Sequence, residues 1–223
     1  LEPEEPPFSI STTSGTISKA FFVKMLTRDI ELADAILDLL DNCVDGVVRE
    51  LKRLDEASSN GAPYAGYWAK IKATPEGFEI ADNCGGIART IAENSAFMLG
   101  RPDTDRDADV ETVGMYGIGM KRAIFKMGRH CLVTSQPHGD TPCKVEIPPD
   151  WLEDDTTTTH DPSVNPWQLT LTTIDERLPS NGTRIVVRQL YEGIRRQFDV
   201  EQSTFLTDLE KEISRHYALI LEK

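Results

Sequence analysis

Four polar side chains, Asp38, Asp41, Asn42 and Asp45, stand within one apolar run, "AILDLLDNCVDG", that contains no basic residue. Carboxylates and a neutral amide oxygen at this spacing offer hard oxygen ligands to a divalent cation such as Mg2+. A carboxylate one turn before the amide, Asp38, is placed to activate a water. On a helical wheel, at about 100° per residue, Glu31, Asp34, Asp38, Asp41, Asn42 and Asp45 gather on one arc. Leu32, Ile36, Leu39, Leu40, Cys43 and Val47 take the opposite side, where a sheet would cover them. A surface helix with a solvated polar face also explains the stripe. Two features stand against it. No Lys or Arg occurs between Arg28 and Arg49, although like charges at i,i+4 repel. Asp and Asn are also poor helix-interior residues, because they compete for backbone hydrogen bonds.

Glycines mark three further places. "VGMYGIGMKRAIFKMG" sets Gly114, Gly117 and Gly119 before a helical run that contains Lys121. Glycines let backbone amides approach an anion closely, and a helix N-terminus adds a favourable dipole. The P-loop ending Gly-Lys-Ser/Thr is absent, and the run does not follow a strand as a dinucleotide fingerprint would. "FEIADNCGGIA" ends a strand on Asp82 and turns through Gly85 and Gly86. A carboxylate there can accept from an exocyclic amine such as that of adenine, and an Asx turn capping the strand is the plainer reading. "SNGTRIVV" turns at Asn181-Gly182 and enters a strand through Thr183, as an ordinary hairpin also would.

The chain that must position these groups has 223 residues, 39% hydrophobic and 27% charged, which is globular composition with length for a sizeable core. A formal net charge of −13 argues against nucleic-acid binding through overall charge. No apolar run is long enough to cross a bilayer. The four cysteines, Cys43, Cys84, Cys131 and Cys143, form no CxxC pair; the expectation is a cytoplasmic protein, without a membrane partner, that keeps them reduced. A long helix is predicted from about Thr27 to about Leu54. Six β-type runs follow: "YWAKIKAT", "GFEIAD", "RHCLVTSQ", "CKVEI", "WQLTLTTI" and "GTRIVVRQL". Residues 87 to 128 mix helix and loop. The polar, Pro-rich segment at about 148–166 reads as an exposed loop. The tail spaces Phe205, Leu209, Ile213 and Tyr217 four apart, as an amphipathic helix does. The pattern is α+β, one sheet with helices on one face.

Four motifs in order, DxxDNxxD on a helix, IxDNxGGI after a strand, GxxGxGxK before a helix and NGT entering a strand, resemble the ATP-binding domain of the GHKL superfamily. That superfamily holds DNA gyrase, the 90-kDa heat-shock chaperones, histidine kinases and the mismatch-repair protein MutL. The resemblance spans about residues 28 to 190. It implies the Bergerat fold, a two-layer sandwich of a mixed β-sheet with helices on one face, and the ligands ATP or ADP with Mg2+. It implies that Asp38 is the catalytic base and Asn42 the Mg2+ ligand, with Asp45 lining the pocket. Asp82 would accept the adenine amino group, Thr183 would hold the same edge, and Gly86 would let the backbone approach the base. Gly114, Gly117, Ile118 and Gly119 would serve the phosphates, with Lys121 as their charge partner. Residues 91–113 would be a lid. Residues 1–17 would be a flexible arm, 18–190 the ATP-binding domain, and 191–223 a helix leading toward a missing second domain.

Two positions depart from the family pattern. The base is usually Glu, and Asp38 is one methylene shorter, a loss of roughly 1.5 Å of reach. Cys84 stands where the first glycine of the adenine turn is usual. The glycine box looks more like the chaperone, MutL and MORC branch than the kinases, so the chain reads as the N-terminal part of a larger protein. The expected function is slow Mg-dependent ATP hydrolysis that drives conformational change or ATP-dependent homodimerisation, with weak or no activity in this segment alone. A non-hydrolytic nucleotide-sensing module is the alternative, and phosphotransfer to a protein histidine stands third.

Overall fold

A computed structural model describes residues 17–54, 63–98, 118–153, 165–175 and 177–221. In chain order the elements are helices α1 (Lys19–Thr27) and α2 (Leu32–Leu54), strands β1 (Ala69–Thr74) and β2 (Gly77–Asp82), and the short helix α3 (Arg89–Ile91), which runs on as a π-turn at Ala92–Ala96. Helix α4 (Gly119–Met127) precedes β3 (Gly128–Gln136), β4 (Cys143–Ile147), β5 (Leu171–Thr173) and β6 (Gly182–Leu190), and helices α5 (Glu192–Gln197) and α6 (Phe205–Leu221) close the order.

The strands form one sheet in the order β1-β2-β6-β3-β4-β5. Every pairing among the described residues is antiparallel. The expected two-layer α+β architecture holds, and the expectation of a sheet mixed in direction is corrected by these registers. Strand-to-strand alternation sets the layers, because successive side chains point to opposite faces. Phe78, Val187, Cys131 and Ile147 make one cross-strand row, and Ile80, Ile185, Val133 and Val145 the next; all of them are buried. Ile36, Leu39 and Val47 of α2, Ile124 and Met127 of α4, and Leu209 and Tyr217 of α6 belong to the core these rows build. The opposite face is wetter, with Arg184 forking onto Glu79 at 2.9 and 3.0 Å.

The long helix begins later than its periodicity predicts. α1 is a separate helix, started by the Ser18 hydroxyl, which accepts the Phe21 amide at 3.2 Å. Its first residue, Lys19, is 1% exposed, and its ammonium donates to the Trp151 carbonyl at 3.0 Å and lies 4.5 Å from the centre of the Trp151 ring. A buried lysine needs such partners, and these join α1 to the turn after β4. α5 had no periodic signal in its six residues.

α6 folds back onto the helix layer. Leu209 and Tyr217 are buried and Phe205 and Ile213 partly so, so the chain's own core covers the stripe. The Tyr217 hydroxyl lies 2.7 Å from Asp41 Oδ1 and 3.2 Å from the Leu37 carbonyl. The tail is therefore pinned to α2 beside the acidic stripe. Among the described residues no helix is long and apolar enough to cross a membrane.

α2 approaches the adenine-type turn most closely at Gly46. A Cβ there would lie 2.4 Å from the Cys84 carbonyl oxygen and 2.9 Å from Cys84 Cβ. Helix propensity favours Gly→Ala by about 1 kcal/mol, whereas forcing extra volume into a packed contact costs about 1–3 kcal/mol. Gly46→Ala is therefore expected to be net destabilising despite its helical position. A denaturant midpoint at or above that of the parent chain would show that α2 can retreat from the turn.

Candidate functional site

The stripe on α2 is neither uniformly exposed nor left to itself. Glu31, Asp34 and Asn42 are exposed, Asp38 and Asp41 are half-buried, and Asp45 is 4% exposed and turned into the protein. Asn42 donates its side-chain amide to the Asp38 carbonyl at 2.8 Å, which leaves its oxygen uncommitted to the helix. The Asp38 carboxylate receives the Arg122 guanidinium, Nη2 to Oδ2, at 2.8 Å. Partners absent from the stripe's own sequence thus arrive from other elements: the Arg122 guanidinium from α4 and, with its Nε2 3.9 Å from Asp41, His216 from α6.

α4 starts against this carboxylate. A Cβ on Gly119 would meet Asp38 Cβ, Cγ and Oδ2 at 3.4 Å. No side chain caps the helix, and its intrahelical ladder opens with the Arg122 amide on the Ile118 carbonyl at 2.8 Å. The preceding amides of the first turn have no partner within the helix, which is what makes such an end receptive to an anion. Lys121 is placed differently from its expected role as phosphate partner. It is 2% exposed, and its ammonium donates to the Ala96 carbonyl at 2.9 Å and the Met98 carbonyl at 2.5 Å. It braces the segment after α3, and Arg122 is the cation at the stripe. Gly114 and Gly117 lie outside the described residues, as does the expected lid beyond residue 98.

Asp82 sits at the end of β2 on the core side of the sheet. Its Oδ1 accepts the amides of Cys84 at 2.8 Å and Thr183 at 3.2 Å, so the Asx turn is real. Oδ2 remains, with the Cys43 thiol of α2 3.8 Å away. One carboxylate therefore serves both the turn and a second acceptor site. Burial raises its pKa above the usual aspartate range, against the lowering effect of the Cys84 and Thr183 amides. The turn is re-formed without its first glycine: Gly85 (φ 90°) and Gly86 (φ 71°) take the left-handed positions, and Cys84 points its side chain into the core. At Gly86 a Cβ would lie 2.7 Å from the Gln136 carbonyl oxygen and 3.0 Å from that of Gly182, so backbone from three segments meets there.

The sequence did not single out Ser135 and Gln136, yet they support this floor. The Ile87 amide donates to the Ser135 hydroxyl at 2.7 Å, and that hydroxyl lies 3.0 Å from the Ile87 carbonyl. Gln136 bonds Asn181 at 3.3 Å and receives the Leu178 amide at 2.8 Å. Two polar side chains ending a strand otherwise buried on this face are the signal that marks them.

This set, a carboxylate at a strand end over a glycine turn and a second carboxylate facing an uncapped glycine-led helix, agrees with a whole-domain comparison. Residues 30–176 match the family described as histidine kinase-, DNA gyrase B-, and HSP90-like ATPase. The chain belongs to that family. At the level of the family it is an ATP-binding domain of the GHKL type. No curated protein matches the chain in sequence. The groups present suit the nucleotide of such ATPases: an acceptor oxygen at Asp82 for an amine, backbone-only surface at Gly86 and first-turn amides of α4 that the helix's own ladder does not use. Among the described residues no three His, Cys, Asp or Glu side chains converge as a metal cluster. A cavity of about 420 Å³ where α1, α4 and α5 meet the start of α2, lined by Val23, Phe125, Tyr191 and Ile194 among others, touches the stripe only at its first member, Glu31.

The raised Asp82 carboxyl has a measurable consequence. The folded state binds this proton more tightly than the unfolded chain does, so the group favours folding below the ordinary aspartate range near about pH 4. That contribution is lost as pH rises through the folded value. Asp82→Asn keeps an Oδ1 acceptor and removes the buried charge. Its stability relative to the parent is expected to improve as pH rises above about 4 and to level off once pH passes the folded value. A pH-independent difference in thermal unfolding would mean that Asp82 is not strained by burial.

Proposed function

We propose that this domain binds Mg-ATP between α2 and the two glycine turns, hydrolyses it slowly through Asp38, and so drives conformational change in a larger protein. The observation that carries the reading is the meeting of the acidic stripe with a glycine-led helix N-terminus, Asp38 lying 3.4 Å from where a Gly119 Cβ would be. A base must stand beside the anion it serves, and here carboxylate and anion-receptive amides are neighbours. In this proposal Asp82 Oδ2 accepts the adenine amine, Thr183 holds the same edge, and Gly86 lies against the base. Gly114, Gly117, Ile118 and Gly119 face the phosphates, Asp45 supports the pocket from within α2, and Lys121 acts through the carbonyls it braces. The Asn42 oxygen holds Mg2+, which when bound neutralises charge across the phosphate oxygens.

ATP-dependent pairing of two copies belongs to the same proposal and needs a surface other than the α6 stripe, which the core covers. A cytoplasmic setting fits four free cysteines, all buried. A second reading, a nucleotide sensor without turnover, is favoured by the ion pair on Asp38. The Arg122 guanidinium occupies Oδ2, an oxygen that a base would turn toward the attacking water.

Asn42→Ala is expected to abolish the Mg-dependent part of ATP binding, read by titration calorimetry with and without Mg2+. Wild-type affinity in the variant removes this helix from the metal. Asp38→Ala should retain ATP and lose hydrolysis, and Asp38→Glu should raise the rate, because an error of about 1 Å in placing a group costs on the order of 100-fold. Phosphate release that survives Asp38→Ala would assign the base elsewhere, with Asp41 or Asp34 next on the stripe. No turnover in the parent and both variants would favour the sensor.

A further inference from the structure

Arg122 is the residue on α4 with the least settled environment. It gives one donor, Nη2, to Asp38 Oδ2 at 2.8 Å, while its Nε is buried without a hydrogen-bond partner among the described residues. A guanidinium has five donors in a planar fork and pairs best in bidentate fashion with carboxylate or phosphate. The pair with Asp38 is single, and both side chains are partly open, at 33% and 27% exposure. It is thus less than the best arrangement either partner can make. Arg122 also stands one turn after Gly119, and helical side chains lean toward the N-terminus of their helix. Its guanidinium and the uncapped amides of α4 consequently serve the same volume.

We propose that Arg122 is the positioning residue through which phosphate occupancy at the start of α4 controls Asp38. Without nucleotide the guanidinium holds the carboxylate and blocks it as a base. With a polyphosphate on the α4 amides, the guanidinium transfers its fork to phosphate oxygens, which carry more charge than one carboxylate, and Asp38 is released toward the water. The inference rests on the reading of Asp38 as the base, and it unites the two functional readings: the ion pair that favours a sensor is the resting state of an enzyme.

The competing account is a structural ion pair that only ties α2 to α4. Calorimetric titration of ATP into the 223-residue chain and its Asp38→Asn, Arg122→Gln and doubly substituted forms separates them. If ATP must first break the pair, Asp38→Asn tightens ATP by up to about fivefold, the strength of a partly exposed ion pair, and the gain shrinks when Arg122 is absent. Loss of simple charge repulsion by Asp38 would instead give the same gain in both backgrounds, and that additivity overturns the proposal. Arg122→Gln alone should weaken ATP. Thermal unfolding checks that each variant is folded; if Arg122→Gln is not, Arg122→Lys answers the same question, since it keeps charge without the fork and must reduce the coupling. A parent chain that binds no ATP at all removes the functional reading itself, whereas ATP binding with additive effects removes only the switch. Hydrolysis by Asp38→Ala, measured separately, decides the base.

Discussion

The close approach of α2 to backbone at two separate turns is the constraint on which the rest of the structure depends. At Gly46 the helix leaves no room for a methyl group beside the Cys84 carbonyl, and the Asp38 side chain stands within van der Waals reach of where a Gly119 Cβ would be. A helix of 23 residues spans about 34 Å, and its apolar side is held to the sheet by Ile36, Leu39, Cys43 and Val47. One rigid element therefore fixes the distance between the adenine-type acceptor at Asp82 and the anion-receptive end of α4. Sites built on such elements are more exact than sites on loops, which matters where each half of the site is a glycine turn.

The fold was largely legible because its strands are short alternating runs bounded by turns, and all six runs become strands. What escaped depends on contacts distant in sequence. Lys19 reads as a surface residue until Trp151, 132 residues away, supplies its carbonyl and ring; hence α1 was missed. The direction of strands is likewise set by connections and not by the strands' own composition. The site shows the same division. Asp38, Asn42, Asp82 and the glycines are local patterns, whereas the partners of the stripe lie 84 and 176 residues away: the Arg122 guanidinium on Asp38 and the Tyr217 hydroxyl on Asp41. The choice between Lys121 and Arg122 was nonetheless readable. Consecutive helical residues differ by about 100°, so only the one three positions after Gly119 shares its side of α4 and faces α2.

Asp82 shows where the site opposes the stability of the fold. A buried carboxylate is expensive unless its lone pairs are used, and here two backbone amides and a thiol use only part of them. The carboxyl stands at the end of a strand whose other core-facing residues, Phe78 and Ile80, are apolar. Its neighbours Cys43 and Cys84 close the floor beneath it with small, weakly polar thiols, and only the long 3.8 Å contact of Cys43 reaches Oδ2. Cys84 in place of the usual glycine is then no defect, since Gly85 and Gly86 carry the left-handed backbone and the thiol fills space below them.

A chain with a formal net charge of −13 that binds a polyanion must do so by local means. Charges beyond about 8–10 Å are screened at physiological salt, so most of the acidic surface contributes little at α4. Backbone amides carry no titratable charge and are indifferent to the chain's net balance, so glycine turns and a helix end can receive an anion in spite of it. The stripe carboxylate beside the start of α4 is Asp38, 3.4 Å from where a Gly119 Cβ would be. Arg122 neutralises that group and no other on the stripe. At the α2–α4 contact a single ion pair joins Asp38 to Arg122, so an anion arriving at the start of α4 would meet a carboxylate that already has a guanidinium partner.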